Sequence, residues 1–222
     1  MVKTASEKRF KAFLDKHKPT YLVGVDEVSY GSFASCLYVC AYVTKVHANL
    51  DVKDSKKYGS RKKLHEAANR LMERPDSFYV LKVVTVEELN SKGLGPCLAE
   101  AFQYVTDQAC QKLNDEVKVS DAVIVVDGIR SPKAEIPILA LPKADALVSQ
   151  VSAASVIAKS AQLKECDELD IKYPLYGFCR NSGYGTEEHR DAIKKYGIQS
   201  CHRTYIEWIR ELIDNGETQT IE

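Results

Sequence analysis

Four acids stand where metal-assisted chemistry would need them. Asp26 and Glu27 follow the apolar run Tyr21–Val25 in YLVGVDEV, Asp127 closes the apolar run of VIVVDG, and Asp145 lies just beyond Pro142. In an α/β protein, function gathers in the crevice outside the carboxyl ends of strands. If the strands ending at Asp26 and Asp127 are neighbours, their carboxylates converge. Carboxylates brought together repel and at least one resists ionising. A divalent cation removes that cost. Mg²⁺ takes one or two carboxylates and completes its shell with waters and phosphate oxygens. Two such ions can clamp the attacking and leaving oxygens of a phosphodiester. Taken singly, each acid is equally well read as a turn residue. Rival chemistries lack their motifs: there is no GxxxxGK[ST] loop, no HExxH and no GxSxG, and the five histidines have no metal-ligand spacing.

The elements that must position these acids follow from apolar periodicity. Tyr21–Val25 reads as a central strand, Phe33–Val46 as a longer second strand and Phe78–Val86 as a third. Ala122–Val126 and Ile136–Leu141 read as short buried strands. A helix is expected over Ser6–His17, with Phe10, Phe13 and Leu14 inward. Another follows Ser60 as N-cap, with Leu64, Ala68 and Leu71 on one face. Gly93, Gly95 and Pro96 predict a break, after which Leu98–Leu113 is a long helix. Ala146–Leu169 is helical in pattern, Thr186 caps Glu187–Tyr196, and Thr204–Ile213 is a last helix. Strands first and helices last give an α/β class with a mixed sheet. We expect one domain over residues 1–222, with a helical N-terminal extension over 1–20 and a helical C-terminal part over about 170–215.

Composition narrows the setting. Lys plus Arg and Asp plus Glu are 31 each in 222 residues, which excludes a sequence-blind basic coat. Charge is nevertheless segregated: KDSKKYGSRKK, Lys53 to Lys63, holds six bases against one acid, and the last twelve residues hold four acids and no base. The seven cysteines are odd in number and lack C-x-x-C spacing, so a reduced, cytoplasmic protein without disulfides or structural zinc is expected. No apolar run approaches transmembrane length, and a monomer without membrane attachment is expected.

The stretches VGVDEVSYG, DSKK, VVDGIR, PKADALVSQVSAASVIAK, YPLYGF, NSGYGTEEH and YGIQSCHR, in this order, resemble the ribonuclease HII family from about Tyr21 to Tyr205. The resemblance implies a ribonuclease H-like α/β fold: a central mixed sheet flanked by helices, with a C-terminal helical extension. It implies an endonuclease that cuts the RNA strand of RNA–DNA hybrids, and that incises 5′ of ribonucleotides embedded in duplex DNA. Asp26, Glu27, Asp127 and Asp145 match the family's catalytic carboxylates and metal ligands, for Mg²⁺ or Mn²⁺, two ions with substrate bound. The DSKK match implies phosphate-binding roles for Ser55, Lys56 and Lys57. The GYGT match implies that the Tyr184 ring stacks on the sugar at the RNA–DNA junction. Ser152, Ser155 and Lys159 fall on a helix near the site, and His202 and Arg203 match a pair near the substrate face.

One departure stands out. Ser29-Tyr30-Gly31 occupies the place of the family's Gly-Arg-Gly, whose backbone and Arg read the 2′-hydroxyl and flanking phosphate. A Ser for the first Gly strains any φ > 0 position. Tyr for Arg removes a charge-assisted contact worth roughly 1.5–3 kcal/mol, about 10–150-fold. A weaker preference for isolated ribonucleotides is therefore expected, and a non-catalytic or altered-specificity hybrid binder stays open as a second class. Ala144 replaces a family Gly before the last acid, a mild change if φ there is negative.

Overall fold

The computed structural model describes residues 4–116 and 118–218. Its elements are α1 (Ala5–His17), β1 (Tyr21–Val28), β2 (Leu37–Lys45), α2 (Arg61–Met72), β3 (Ser77–Val84), α3 (Val86–Lys92), α4 (Leu94–Glu116), β4 (Ala122–Asp127), β5 (Ile138–Leu141), α5 (Ser149–Lys172), α6 (Phe178–Asn181), α7 (Glu187–Tyr196) and α8 (Glu207–Asp214). The strands form one mixed sheet in the order β3-β2-β1-β4-β5. β1 pairs with β4 in parallel, Val25 opposite Val126, and β4 pairs with β5 in parallel, Asp127 opposite Leu141. Among the described residues no helix is long and apolar enough to cross a membrane, and all seven cysteines are free thiols.

Backbone contacts divide the chain into two compact units. The first comprises Met1–Glu27, Val39–Lys82 and Ala99–Ser160. Its core includes Leu22, Val123, Val125, Leu141, Val148 and Val151, and the α1 side chains Phe10, Phe13 and Leu14 pack against them. The first part of α5 lies directly on β1. A Cβ on Gly24 would come within 2.3 Å of the Val151 nitrogen, so only glycine permits this approach. The small residues that follow, Ala153, Ala154 and Ala158, are all fully buried. The second unit comprises Val28–Tyr38, Val83–Leu98 and Ala161–Glu222. Its core gathers Tyr176, Phe178, Ile193, Ile198, Ile209 and Leu212.

Several boundaries differ from the sequence expectation for local reasons. α4 starts at Leu94, so Gly95 and Pro96 lie inside its first turn. The N–H groups of a first turn have no intrahelical partner, and proline is tolerated there. β2 starts at Leu37 rather than Phe33 because Phe33 and Ala34 donate instead to the Gly183 carbonyl (2.8 and 3.1 Å). β5 starts at Ile138, after Pro137, which has no N–H to give the ladder. α5 starts at Ser149 because Ala144–Ala146 forms a separate tight turn. The breaker-rich stretch after Pro174 contains the short α6. The caps are as expected at Ser60, which accepts from Lys63 N–H, and at Thr186, which accepts from His189 N–H.

Candidate active site

Parallel pairing of β1 with β4 builds the site. With Val25 opposite Val126, the next residues along the two strands are Asp26 and Asp127, so their backbones end side by side. Asp26 is buried, 5% exposed. Its Oδ1 accepts from Glu27 N–H (2.8 Å), and Ser155 on α5 also bonds to it. Burial first, then Glu27 and Asp127, hold the Asp26 carboxyl well above the usual carboxylate range, against those two hydrogen bonds. Burial and Asp127 push Glu27 up to about 7, with a smaller push from Asp145 and an opposing pull from Arg130. Asp127 Oδ1 accepts a 2.6 Å bond from Ala144 N–H, which ties it to the turn carrying Asp145. Lys143, not Ala144, takes the positive φ there (60°), so alanine is accommodated without strain.

Thus all four acids sense one another, directly or through a shared neighbour. Among the described residues no three His, Cys, Asp or Glu side chains form a ready-made metal cage. The donors present are carboxylate oxygens whose mutual repulsion a divalent cation would relieve, and they fit such an ion.

Around the acids the first unit places other residues singled out from sequence. Ser55 lies in a tight turn, Ser55–Lys57, and its hydroxyl bonds to that of Ser155 (3.2 Å), continuing the chain that starts at Asp26. Lys57 is exposed and pairs at 3.9 Å with Asp54. The side chain of Lys56 lies outside the described residues. A cleft of about 300 Å³ is lined by Lys53, Lys57, Asp145 and Ser152 among others. The Ser152 hydroxyl there is buried with no hydrogen-bond partner among the described residues. Lys159 lies on α5, half-buried.

The second unit holds the rest. Tyr30 and Tyr184 are exposed, 47% and 38%. Ser29 is buried, with φ 79°, so the strain anticipated for a serine at this position is present. Arg203 is fully buried and binds the loop after β1 from inside. Its Nε donates to the Ser35 carbonyl (2.9 Å), Nη1 to that of Ser29 (2.6 Å), and Nη2 to that of Cys36 (2.9 Å) and to Ser29 Oγ (3.1 Å). His202 is also buried, its Nε2 3.2 Å from His189 Nε2. His189 Nδ1 meets the Tyr184 carbonyl (2.9 Å), and His202 Nδ1 accepts from Gln199 N–H (2.8 Å). These contacts assign protons to His189 Nδ1 and His202 Nε2, with both rings neutral. Burial lowers both, His202 to about 3. His202 and Arg203 therefore present no side chain to solvent; they hold backbone.

Sequence reasoning missed the His189–His202 pair, because a buried neutral pair leaves no spacing signature. It also missed Arg130, whose place three residues after Asp127 was the available signal.

The ribonuclease HII family model matches residues 23–210. Ribonuclease HII of Desulforamulus reducens is 32% identical over 209 residues, covering 90% of this chain and 96% of the relative. That of Borrelia duttonii is 35% identical over 185 residues, covering 82% and 96%. Among solved structures, the ribonuclease H2 of Pyrococcus horikoshii superposes with a TM-score of 0.69 at 24% identity, covering 88% of this chain and 98% of that one. A Bst-RNase HIII structure in complex with Mn²⁺ gives 0.63 at 18% identity, covering 89% and 70%. These structures share the fold.

Proposed function

The chain belongs to the ribonuclease HII family, and from that premise we propose how it performs metal-dependent endonucleolytic cleavage of the RNA strand in RNA–DNA hybrids. The observation that carries the reading is the parallel register that ends β1 and β4 side by side at Asp26 and Asp127. Asp26, Glu27, Asp127 and Asp145 would hold Mg²⁺ or Mn²⁺. When bound, such ions make an attacking water acidic and neutralise the leaving oxygen.

The protein's own groups prepare that site. Hydrogen bonds from Ser155 and from Glu27 N–H favour the ionised form of Asp26. The Ala144 N–H fixes the orientation of Asp127. Lys53, Lys57 and the unpartnered Ser152 hydroxyl would receive backbone phosphate at their cleft, with the Asp54–Lys57 pair opening to admit it. Arg130, the cation that opposes the elevation of Glu27, would offset phosphate charge beside the acids. Arg203 and the histidine pair set the backbone from which Tyr30 and Tyr184 project. Hybrid cleavage is the main activity. Incision at a single embedded ribonucleotide is weakened, because Tyr30 cannot supply the bidentate phosphate contact of an arginine.

The test is cleavage with Mg²⁺ or Mn²⁺ on three duplexes: an RNA–DNA hybrid, DNA with one ribonucleotide, and all-DNA. We expect products with 5′-phosphate and 3′-hydroxyl ends from the hybrid, less from the single ribonucleotide and none from DNA. Tight hybrid binding without cleavage would identify a non-catalytic binder and overturn the reading.

A further inference from the structure

We propose that Gln103 is a positioning residue whose amide clips the loop after β4 and so holds Arg130 beside the acids. This rests on the hybrid-cleaving reading and on the part Arg130 takes in it. The loop 128–137 joins β4 to β5, and between residues 129 and 136 it contains no helix, strand or hydrogen-bonded turn. Backbone groups in such a stretch must find partners elsewhere or face water.

At the middle of the loop both backbone groups of Lys133 are taken by one side chain on α4. Lys133 N–H donates to Gln103 Oε1 (2.9 Å), and the Lys133 carbonyl accepts from Gln103 Nε2 (2.8 Å). The amide thus pairs as a residue of a neighbouring antiparallel strand would, exchanging both bonds. Nε2 also donates to Asp107 Oδ1 (2.8 Å), one turn along α4, which fixes which way the amide faces. Packing adds little there. A cavity of about 570 Å³ is lined by Lys133, Ala134, Glu135 and Ile136 of the loop and by Asp107 and Cys110 of α4.

The clip reaches Arg130 through a short, stiff path. Gly128 N–H donates to the Leu141 carbonyl (3.0 Å), which anchors the start of the loop. Pro132 has its φ fixed by its ring, and Ser131 before it is confined to extended backbone. Only Ile129 and Arg130 are left between the anchored Gly128 and the segment that the clip holds. Arg130 is the cation that opposes the elevation of Glu27, so the held loop keeps it near the acids. Without the clip its guanidinium would spread over many positions and spend less time where phosphate charge must be offset.

The experiment compares wild type, Gln103→Ala, Gln103→Met, Arg130→Ala and the Gln103→Ala/Arg130→Ala double variant. Steady-state cleavage of an RNA–DNA hybrid is measured, with hybrid binding across a salt series. Arg130→Ala is expected to lower kcat/KM about 10- to 150-fold, the range of one charge-assisted contact, and the salt slope by somewhat under one unit. Gln103→Ala removes no charge, yet should lower kcat/KM by at least about fivefold and reduce the salt slope too. Gln103→Met keeps the bulk of the side chain and guards against loss of fold; lacking the amide, it should match Gln103→Ala. The double variant should fall within about twofold of Arg130→Ala, because the two residues act as a unit. Losses that add in the double variant, an unchanged salt slope in Gln103→Ala, or wild-type cleavage by Gln103→Met or Arg130→Ala each overturn the proposal. Wild-type cleavage of the hybrid leaves the hybridase reading standing in those cases, and a wild type that cuts no hybrid overturns both.

Discussion

Two buried polar regions of this chain have opposite electrostatics. At the ends of β1 and β4, Asp26 and Glu27 are enclosed with further acids and pushed toward protonation by burial and by one another. In the second unit, Arg203 is wholly buried yet has carbonyl or hydroxyl acceptors for Nε, Nη1 and Nη2, and His189 and His202 share complementary protons. A satisfied buried network specifies a structure, whereas a buried cluster of like charge stores a demand for something absent from the chain. Burial alone does not mark a functional residue; the unbalanced charge does.

Substitution at the two regions should therefore have opposite signatures. Asp26→Asn removes a repelling charge and keeps the hydrogen-bonding shape. Hybrid cleavage should fall by about 10³-fold or more, the loss of several kcal/mol of charge stabilisation. Melting temperature without added metal should hold or rise. A lowered melting temperature with activity retained would reverse the assignment of the two regions.

Arg203→Ala should do the converse. It strands the carbonyls of buried Ser29 and Ser35 and of half-buried Cys36, so denaturant unfolding should show a loss of at least about 3 kcal/mol. Lysine should not rescue it, because one ammonium cannot reproduce the planar fork. An Arg203→Ala protein as stable as wild type would show that the network is incidental.

Acid separates the regions again. A histidine whose folded pKa is depressed contributes stability that is present above its unfolded pKa and lost as pH falls. For His202 the window runs from about 6.5 down to about 3, with a total on the order of a few kcal/mol. His202→Gln should flatten that limb of the stability curve. The acids act in the other direction. With its carboxyl raised to about 7, Glu27 lowers stability as pH rises from about 4.5 through 7. Mn²⁺ should therefore raise the melting temperature more at pH 8 than at pH 5.5. An equal shift at both pH values would indicate binding away from these acids. The smallest effect belongs to Lys57→Ala, which should reduce the salt slope of hybrid binding by somewhat under one unit.

The first region was largely legible in the sequence and the second was not. Tyr21–Val25 and Ala122–Val126 announce buried strands by continuous apolar character, and the acids that end them follow directly. Their adjacency needed only the parallel topology common to α/β chains. Arg203 contacts residues 167 to 174 positions earlier, and no local pattern distinguishes a buried arginine from an exposed one. Ser29 lies between these cases. Its positive φ was readable because a serine stood where the resembling family has glycine, but the hydroxyl contacts that hold it came only with the fold. α4 starts at Leu94, before the break that Gly95 and Pro96 suggest, because proline breaks helix interiors yet suits first turns.

The most direct test of the central claim is a single cleavage measurement. Wild type, Asp26→Asn and Asp127→Asn are each incubated with an RNA–DNA hybrid in Mg²⁺ or Mn²⁺, with a chelator control. Cleavage is expected from the wild type only, abolished by chelation, with both variants folded. Full metal-dependent cleavage by either variant would contradict it.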